Sequence, residues 1–183
     1  MTVYDPAEAA SNAPQDSSVY RRFVGGPESY DVISAVQFNL LTHLGLRERS
    51  TLLDIGCGAL RAGRLFIPYL LPGGYAGFEP ERWLLDAAVR DELGADLLRI
   101  KRPRFIHDDY DFNLGAFESK FDFLLAHSIF SHATQAQTLK CLTEAARVMH
   151  AESLLVATFV EGDTNYAGDT WALQARYRYD FIE

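Results

Sequence analysis

Cysteine and long apolar runs are both scarce in this sequence. Two of its 183 residues are cysteines, Cys57 and Cys141, and this pair provides neither a disulfide framework nor the spacing of a metal site. The longest apolar run, residues 65–71, is interrupted by Pro68 and is far shorter than the roughly 20 residues of a membrane span. No apolar segment near the start has the pattern of a secretory signal. These absences predict a reduced, cytoplasmic protein with no metal and no membrane partner.

Positive charge is also in short supply. Lysine and arginine number 17 against 25 aspartates and glutamates, which gives a net charge of −8 and an isoelectric point near 5.1. An acidic surface repels phosphate backbones, so no nucleic-acid partner is expected and a small-molecule substrate is favoured. The densest basic stretch is interpreted as a solvated linker before a strand; it comprises Arg99, Lys101, Arg102 and Arg104.

Short apolar segments alternate with amphipathic segments along most of the chain. The predicted strands are residues 51–55, 75–79, 105–107, 121–126 and 154–159. The predicted helices are residues 60–70, 81–93 and 134–149, and a first helix that runs from Ser29 to Gly45. This alternation predicts right-handed βαβ units in a doubly wound, mostly parallel sheet with both faces covered, an α/β fold of the Rossmann type. Such a sheet binds its ligand beyond the carboxyl ends of the strands.

The first predicted helix and the segment before it have distinct patterns. The helix has apolar residues at steps of three and four, as an amphipathic helix does: Val32, Ile33, Val36, Leu40, Leu41 and Leu44. Residues 1–18 contain two prolines and many small polar residues without periodicity, and they are predicted to be a flexible tail. Residues 19–183 are predicted to form a single domain.

A glycine-containing loop follows the first predicted strand. Gly56 and Gly58 lie between that strand and a helix, where glycine permits positive φ angles and lets a ligand approach the backbone. Backbone N–H groups at the start of the helix are expected to bind a carboxylate or phosphate. Glu79 ends the second strand, about 20 residues later, where a carboxylate can accept hydrogen bonds from both hydroxyls of a ribose. Together these features predict a nucleoside cofactor.

These motifs resemble those of a known family. LLDIGCG and GFEP resemble the first two motifs of class I S-adenosylmethionine-dependent methyltransferases, and FDFLLAHSIFSH resembles their fourth-strand segment. The resemblance covers residues 52–160 in the family's order. It implies S-adenosyl-L-methionine as cofactor, S-adenosyl-L-homocysteine as product and methyl transfer to a small-molecule acceptor. It also implies that Asp54 orients the loop and the methionine end of the cofactor, that Glu79 holds the ribose, and that Asp108 or Asp109 meets the adenine amino group.

Other residues near these motifs are candidates for the same site. Arg61 and Arg64, early in the helix after the loop, are each either a partner for the cofactor carboxylate or a surface arginine. His132, just past the fourth strand, is the candidate general base, because histidine titrates near neutrality. The remaining predicted cofactor-binding residues are Gly56, Cys57, Gly58, Pro80, Trp83, His127 and Ser128. Three aromatic residues are either a lid over the sulfonium or ordinary packing: Tyr20, Phe23 and Tyr30.

Two features argue against a nicotinamide-binding Rossmann domain. After Gly58 the next glycine is Gly63, so the G-x-G-x-x-G pattern is not completed, and Asp54 places a negative charge where a pyrophosphate would lie. An NAD-binding oxidoreductase is the low-ranked alternative. A non-catalytic S-adenosylmethionine-binding or scaffolding subunit of the same fold ranks above it. Leu60 replaces a third glycine found in many methyltransferases and is expected to shift the loop toward the helix.

The C-terminal part of the sequence lacks a recognisable strand pair. A full class I fold has seven strands, whereas five are recognisable here, and the residues after Val160 are too few for a crossover helix and two strands of typical length. The chain is therefore expected to be a fragment of a longer protein or a natural minimal form, and to bind cofactor without robust turnover. An uncovered fifth strand invites association, which predicts a homo-oligomer or a partner chain at this edge.

Overall fold

Five parallel strands run through the centre of the protein in the order β3-β2-β1-β4-β5. A computed structural model describes residues 17–182 of the chain. The strands are β1 Leu52–Ile55, β2 Tyr75–Phe78, β3 Arg104–Ile106, β4 Phe121–Ala126 and β5 Met149–Ala157. Every pairing between neighbouring strands is parallel. The predicted doubly wound α/β fold with five strands is therefore confirmed for the described part of the chain.

Helices cover both faces of this sheet. They are α1 Ser17–Phe23, α2 Tyr30–His43, α3 Gly63–Tyr69, α4 Arg82–Ala88, α5 Ala95–Lys101, α6 Gln135–Arg147 and α7 Tyr179–Ile182. A π-helical turn, Val89–Leu93, continues α4, and a 3₁₀ turn, Leu114–Phe117, precedes β4. Among residues 17–182, no helix is both long and apolar enough to cross a bilayer.

Alternate residues of each strand enter two separate apolar cores. Leu52 of β1 packs in the core beneath α3 and α4, whereas its neighbour Leu53 packs in the core that contains Cys141 and Ala145 of α6. A parallel sheet needs both faces covered, because its strands are apolar on both sides. Asp54 has the same parity as Leu52, so it points toward the side of α3.

The helix after the glycine loop begins three residues later than predicted. Leu60 has a φ of +54°, which is outside the range of a right-handed helix. The segment predicted as helical from residue 60 therefore turns first, and α3 begins only at Gly63. This delay places Arg61 in the turn rather than on the helix.

Half of the basic stretch lies in a helix, so its prediction as a linker was wrong for that half. Gly94, which follows the predicted helix 81–93, directly precedes α5 and has a φ of +78°. Arg99 and Lys101 occupy the last turn of α5, where cations interact favourably with the helix dipole. Arg102 caps α5, and Arg104 begins β3.

Strand β5 begins five residues earlier than predicted. Met149 pairs with Phe121 and Leu154 with Phe123, so the register shifts between the two pairings. The Ser153 hydroxyl supports this irregularity by donating to the Phe121 carbonyl at 2.6 Å. Charged and polar residues in the irregular part interrupt the apolar pattern of the strand. The sequence therefore predicted β5 only from residue 154.

Helix α2 exposes one row of apolar residues to solvent. The exposed apolar residues are Val32, Val36, Leu40 and, at the C-cap, Leu44, whereas the buried residues are Tyr30, Ser34, Gln37 and Leu41. Polar contacts fix this orientation. The Tyr30 hydroxyl donates to the Ala59 carbonyl at 3.0 Å. The Ser34 hydroxyl donates to the Arg61 carbonyl at 2.5 Å. Tyr30, Phe38 and Leu41 pack inward against the core, so α2 has apolar residues on both faces instead of the single inward stripe of an ordinary amphipathic helix.

The N-terminal helix is held by one buried carboxylate. The side chain of Glu92 is 7% exposed and accepts hydrogen bonds from the Tyr20 hydroxyl at 2.7 Å and from Arg21 at 2.6 Å. Tyr20 and Tyr30 are themselves buried and pack edge to face, which agrees with the packing alternative for these two residues. The predicted tail falls largely on residues 1–16, which lie outside the described residues; residues 17 and 18 belong to α1.

The segment after β5 folds back over the carboxyl end of β4. Its backbone binds the loop after β4, with Ala172 N–H donating to the His132 carbonyl and Ala175 N–H to the Ser131 carbonyl. Tyr177 is fully buried, and its hydroxyl donates to the Ala133 carbonyl at 2.5 Å. A segment with the composition of a loop therefore forms a wall at the edge where a ligand would bind.

Removing the Glu92 carboxylate is expected to loosen α1. Glu92→Ala leaves the Tyr20 hydroxyl and the Arg21 guanidinium without this acceptor, and the free energy of unfolding should fall by about 2 kcal/mol. Denaturant unfolding measures the loss, and limited proteolysis locates it. Asp91→Ala is the matched control, because Asp91 forms only a surface pair with Arg90 and its removal should change stability by less than about 1 kcal/mol. Equal losses for the two variants would contradict the anchoring role.

Candidate functional site

The loop after β1 folds back onto the end of β2. The backbone N–H groups of Gly56 and Cys57 both donate to the Phe78 carbonyl, at 2.7 and 3.1 Å. The Gly58 N–H donates to Oε2 of Glu79 at 2.9 Å. These three donors are used within the protein, so they are not available to an anionic ligand group.

Both loop glycines are sterically required. Gly56 has a φ of +68°, and a Cβ there would lie 2.0 Å from Cδ1 of Ile129. Gly58 has a φ of +54°, and a Cβ there would lie 2.8 Å from Cγ1 of Val24. Ile129 and Val24 therefore flank the loop, and a side chain at either glycine would have to displace one of them as well as adopt a strained positive φ.

Leu60 adopts a backbone conformation that usually favours glycine. Its φ of +54° lies in the left-handed region, and its side chain is fully buried. Burial of the leucine offsets the strain of this conformation, which is unfavourable for residues with a Cβ. The predicted shift takes the form of an extended loop turn before α3.

Asp54 is a buried acid behind the loop. Its carboxylate is 4% exposed and accepts a hydrogen bond from the Tyr75 hydroxyl at 2.7 Å. Burial raises the pKa of Asp54 to about 6, although this hydrogen bond and the positive charge of Arg61 act in the opposite direction. The acid thus faces β2 and supports the loop from below.

Glu79 lies at the end of β2, beside the loop. Oε2 accepts from the Gly58 N–H and Oε1 from the Glu81 N–H, both at 2.9 Å. Burial raises the pKa of Glu79 to about 7, although these two N–H donors lower it. A carboxylate has about four lone-pair positions, so two remain for hydroxyl donors of a ligand.

Arg61 joins the segment before α2 to the end of β4. Its Nη1 donates to the Val24 carbonyl at 2.7 Å, and its Nη2 lies 3.0 Å from Nδ1 of His127. A guanidinium has five N–H donors, and these two contacts use two of them. Arg64 instead pairs with the exposed Asp31 at 2.6 Å and with the buried Glu92 at 3.6 Å, so its guanidinium is used in ion pairs within the protein. The two arginines are therefore distinguished by position, and Arg61 is the one that faces the loop.

His127 is held neutral by its surroundings. Because an arginine can only donate, Nδ1 of His127 is the acceptor of this contact and the ring proton is on Nε2. Burial and the nearby charge of Arg61 lower the pKa of His127 to about 4. Ser128 follows with a φ of +63°, and its N–H donates to the Thr158 hydroxyl at 2.8 Å. Together these contacts fix the turn that leaves β4.

The loop after β3 lies beside the loop after β2. The Asp108 N–H donates to the Pro80 carbonyl at 3.0 Å. The Asp108 side chain is exposed and contacts Nδ1 of His107 at 2.5 Å, whereas Asp109 is half-buried and accepts from the Asp111 N–H. Both carboxylates are therefore at the edge of the site, and the choice between them stays open.

Two other predicted residues are apolar walls. Cys57 is buried, and burial raises the pKa of its thiol well above the ordinary value, so it stays a protonated packing residue. Trp83 is half-buried and packs edge to face on Phe23, with ring centroids 5.3 Å apart. Phe23 itself is exposed, so this aromatic pair forms a partly open surface near the end of β2.

His132 is oriented by the C-terminal segment. Its Nδ1 lies 2.9 Å from the Ala172 carbonyl, and its ring stacks on Trp171 with centroids 5.7 Å apart. Because a carbonyl can only accept, Nδ1 carries the proton, and Nε2 of the neutral ring has a free lone pair. This tautomer is the opposite of the one in His127, so of the two rings only His132 has an Nε2 able to accept a proton.

Comparison with known proteins identifies the fold. No protein-family model and no curated protein matches the chain. Solved structures do match it. Magnesium protoporphyrin IX methyltransferase (ChlM) from Synechocystis PCC 6803 is 14% identical, with a TM-score of 0.58 over 96% of this chain and 78% of that protein. A TehB-like SAM-dependent methyltransferase from Corynebacterium glutamicum is 19% identical, with a TM-score of 0.54 over 88% and 73%.

A third match is the glycopeptide N-methyltransferase MtfA, 12% identical with a TM-score of 0.56 over 71% of this chain. The chain has the class I methyltransferase fold. It spans 55% of the length of MtfA, and in one other matched structure only 22%. At these identities the likeness establishes the arrangement of strands and helices.

Several contacts of this class I methyltransferase fold were not evident in the sequence. Val24 and Ile129 wall the glycine loop, and Tyr75 donates to the buried acid. The sequence signal for the contact of Tyr75 is the alternation of side chains along β2, which places the Tyr75 side chain on the same face of the sheet as Asp54. Within residues 17–182, no group of three or more histidine, cysteine, aspartate or glutamate side chains is arranged to hold a metal.

Loss of the Tyr75 hydroxyl is expected to destabilise the protein mainly at alkaline pH. The hydroxyl stabilises the ionised form of Asp54, and the pKa of that acid is about 6. Tyr75→Phe should therefore lower the free energy of unfolding by about 1–3 kcal/mol near pH 8 and by less near pH 5. Denaturant unfolding at both pH values measures the difference. Tyr69→Phe, at a half-buried tyrosine of α3, is the control. A loss independent of pH would contradict the assignment.

Proposed function

We propose that this chain binds S-adenosyl-L-methionine and transfers its methyl group to a small-molecule acceptor, leaving S-adenosyl-L-homocysteine. The observation that carries the proposal is the buried carboxylate of Glu79, which is fixed by two backbone N–H groups beside the glycine loop. An acid at the end of the second strand of such a sheet is suited to the two hydroxyls of a ribose. Its orientation is set before any ligand arrives, which reduces the entropy lost on binding.

The opposite end of the loop suits an amino-acid moiety. Arg61 is half-buried and retains donors beyond its contacts with Val24 and His127, so it can bind a carboxylate in forked geometry. Asp54 lies behind the same loop, and its negative charge favours a ligand that also carries positive charge. Carboxylate, ammonium and sulfonium groups together match this pair of charges, whereas the pyrophosphate of NAD would meet a repulsive acid.

The adenine end is assigned to the loops after β2 and β3. Asp108 or Asp109 can accept from an exocyclic amine, and Pro80 and Trp83 provide apolar surface beside them. Matched structures support the choice of ligand: that of ChlM contains S-adenosyl-L-homocysteine, and that of MtfA contains sinefungin. Those two proteins act on a porphyrin and a glycopeptide by their names, so they favour a common cofactor without a common acceptor.

When bound, S-adenosylmethionine supplies an electrophilic methyl group on a positively charged sulfur. The protein's task is then to hold an acceptor in line with that methyl group and to exclude water. The wall formed by the loop after β4 and the C-terminal segment is suited to this task. His132 can take a proton from the acceptor through Nε2, because the Ala172 carbonyl holds its Nδ1–H.

The proposal is tested by calorimetry with S-adenosyl-L-homocysteine and with NAD. Binding of the first and not the second is expected. Glu79→Ala should weaken binding by about 1.5–3 kcal/mol, the range for a hydrogen bond to a charged group. Asp86→Ala, a buried acid on α4, controls for the loss of a buried carboxylate as such. Binding of NAD alone would favour an oxidoreductase. Binding of S-adenosyl-L-homocysteine without methyl transfer to any acceptor would favour a non-catalytic S-adenosylmethionine-binding subunit.

Binding should also depend on pH through Glu79. The pKa of Glu79 in the free protein is about 7, and ribose hydroxyls donate to the ionised form. Below that value a proton must leave on binding, so affinity should fall by up to about tenfold per pH unit as the pH is lowered. Calorimetry in two buffers of different ionisation enthalpy measures the released proton. Near pH 7 Asp54, with a pKa of about 6, is already largely ionised, so Glu79→Gln should remove most of the release. Release that is unchanged in this variant would contradict the role of Glu79.

A further inference from the structure

We infer that α2 is the interface of a symmetric dimer formed with a second copy of this chain. Four apolar residues form a stripe on its outer face, here named the α2 stripe: Val32, Val36, Leu40 and Leu44, which are 63%, 55%, 42% and 43% exposed. They are spaced four residues apart over about three turns of helix. Contiguous apolar rows of this kind mark sites of association more often than isolated apolar residues do.

The fold of the single chain covers only part of the α2 stripe. The inner face of the helix is held by Tyr30 and Ser34, which donate to backbone carbonyls beside the glycine loop, and by Leu41 in the core. Within residues 17–182 the two valines of the stripe stay more than half exposed, and the two leucines are partly covered. A partner that covers this row would bury apolar surface that the single chain leaves in water.

The geometry of the stripe suits another copy of the same helix. Residues four apart form a ridge, and two such ridges interdigitate when helices cross at about −50°. In an antiparallel pair centred near Phe38, Val32 of one copy faces Leu44 of the other, and Val36 faces Leu40. Larger and smaller side chains then alternate across the contact, as a two-fold interface requires.

Charges at the two ends of α2 favour the antiparallel arrangement. Glu28 and Asp31 lie at the N-terminal end, where Asp31 also pairs with Arg64 of its own chain. Arg47 and Arg49 lie beyond the C-terminal end and outnumber Glu48 between them. An antiparallel pair places each acidic end beside a basic end and also opposes the helix dipoles. A parallel pair would place like charges together, so this surface is complementary to itself in one orientation.

A standard interface buries about 800 Å² per partner, which is more than four side chains provide. The stripe would therefore be the apolar centre of the interface, and the charged ends would be part of its rim. The inference is independent of the proposed function, because the stripe lies on the face of α2 opposite the contacts with the loop. Loss of cofactor binding would leave the dimer unaffected, and loss of the dimer would leave the cofactor contacts in place.

The mass of the full chain in solution tests the inference. Sedimentation or light scattering across micromolar concentrations should show a monomer–dimer equilibrium. Val36→Lys should raise the dissociation constant at least tenfold, because it places a charge at the apolar centre. Ile100→Lys is the matched control: Ile100 is 56% exposed on α5, and its replacement should leave the equilibrium unchanged. Circular dichroism and thermal unfolding verify that both variants remain folded.

Charge exchange tests the orientation. Glu28→Arg and Arg49→Glu should each weaken the dimer by about two- to fivefold, and the double variant should recover part of that loss. A monomeric wild-type chain at every concentration would overturn the inference. A dimer that survives Val36→Lys would also overturn the inference. If Leu154→Lys then abolished that dimer, the edge at β5 would be the interface. If the wild-type chain were monomeric and bound lipid vesicles, and Val36→Lys abolished that binding, the stripe would instead be a membrane-binding surface.

Discussion

The contacts between the glycine loop and the end of β2 constrain most of what surrounds them. Three consecutive N–H groups, from Gly56 to Gly58, donate to Phe78 and Glu79, so the chain must turn back before a helix can start. That requirement forces Leu60 into a left-handed conformation and delays α3 to Gly63. Arg61 then lies in the turn, where its guanidinium reaches Val24 and His127. A backbone constraint at the first two strands thus determines which side chains face the site.

Two buried acids beside this loop make the free protein sensitive to pH. The pKa values of Asp54 and Glu79 are raised to about 6 and 7, above those of carboxyl groups in an unfolded chain. Such groups contribute stability that is present below the ordinary carboxyl pKa and is lost as the pH rises through the raised values. The Tyr75 hydroxyl, the loop N–H groups and the charge of Arg61 reduce this loss. A ligand whose hydroxyls donate to Glu79 would reduce this loss of stability further. The site therefore lowers the stability of the free protein, and ligand binding would restore it.

The sequence was sufficient for the elements whose signals are local. The five strands, their parallel direction and the position of Glu79 at the end of the second strand follow from short apolar runs and from the glycines between them. The parts that failed depend on contacts between distant segments. Helix α5 was hidden because Gly94 both ends one helix and starts the next. The wall formed by residues 160–182 depends on hydrogen bonds to the loop after β4, which composition cannot reveal. The tautomers of His127 and His132 likewise follow from Arg61 and Ala172, which are distant in sequence.

Helix α2 shows why an apolar pattern fixes a helix without fixing its orientation. The periodicity of its valines and leucines was correct, but two hydroxyls, those of Tyr30 and Ser34, hold the other face against carbonyls of the loop turn. Leaving these buried carbonyls unpaired would cost free energy. Exposing four aliphatic side chains to water also costs free energy, so the two effects favour opposite orientations of α2. If a second copy covers the outer face, that opposition disappears, because apolar burial and carbonyl satisfaction are then achieved on opposite sides of one helix. The orientation of α2 in the single chain is then the one required by the dimer.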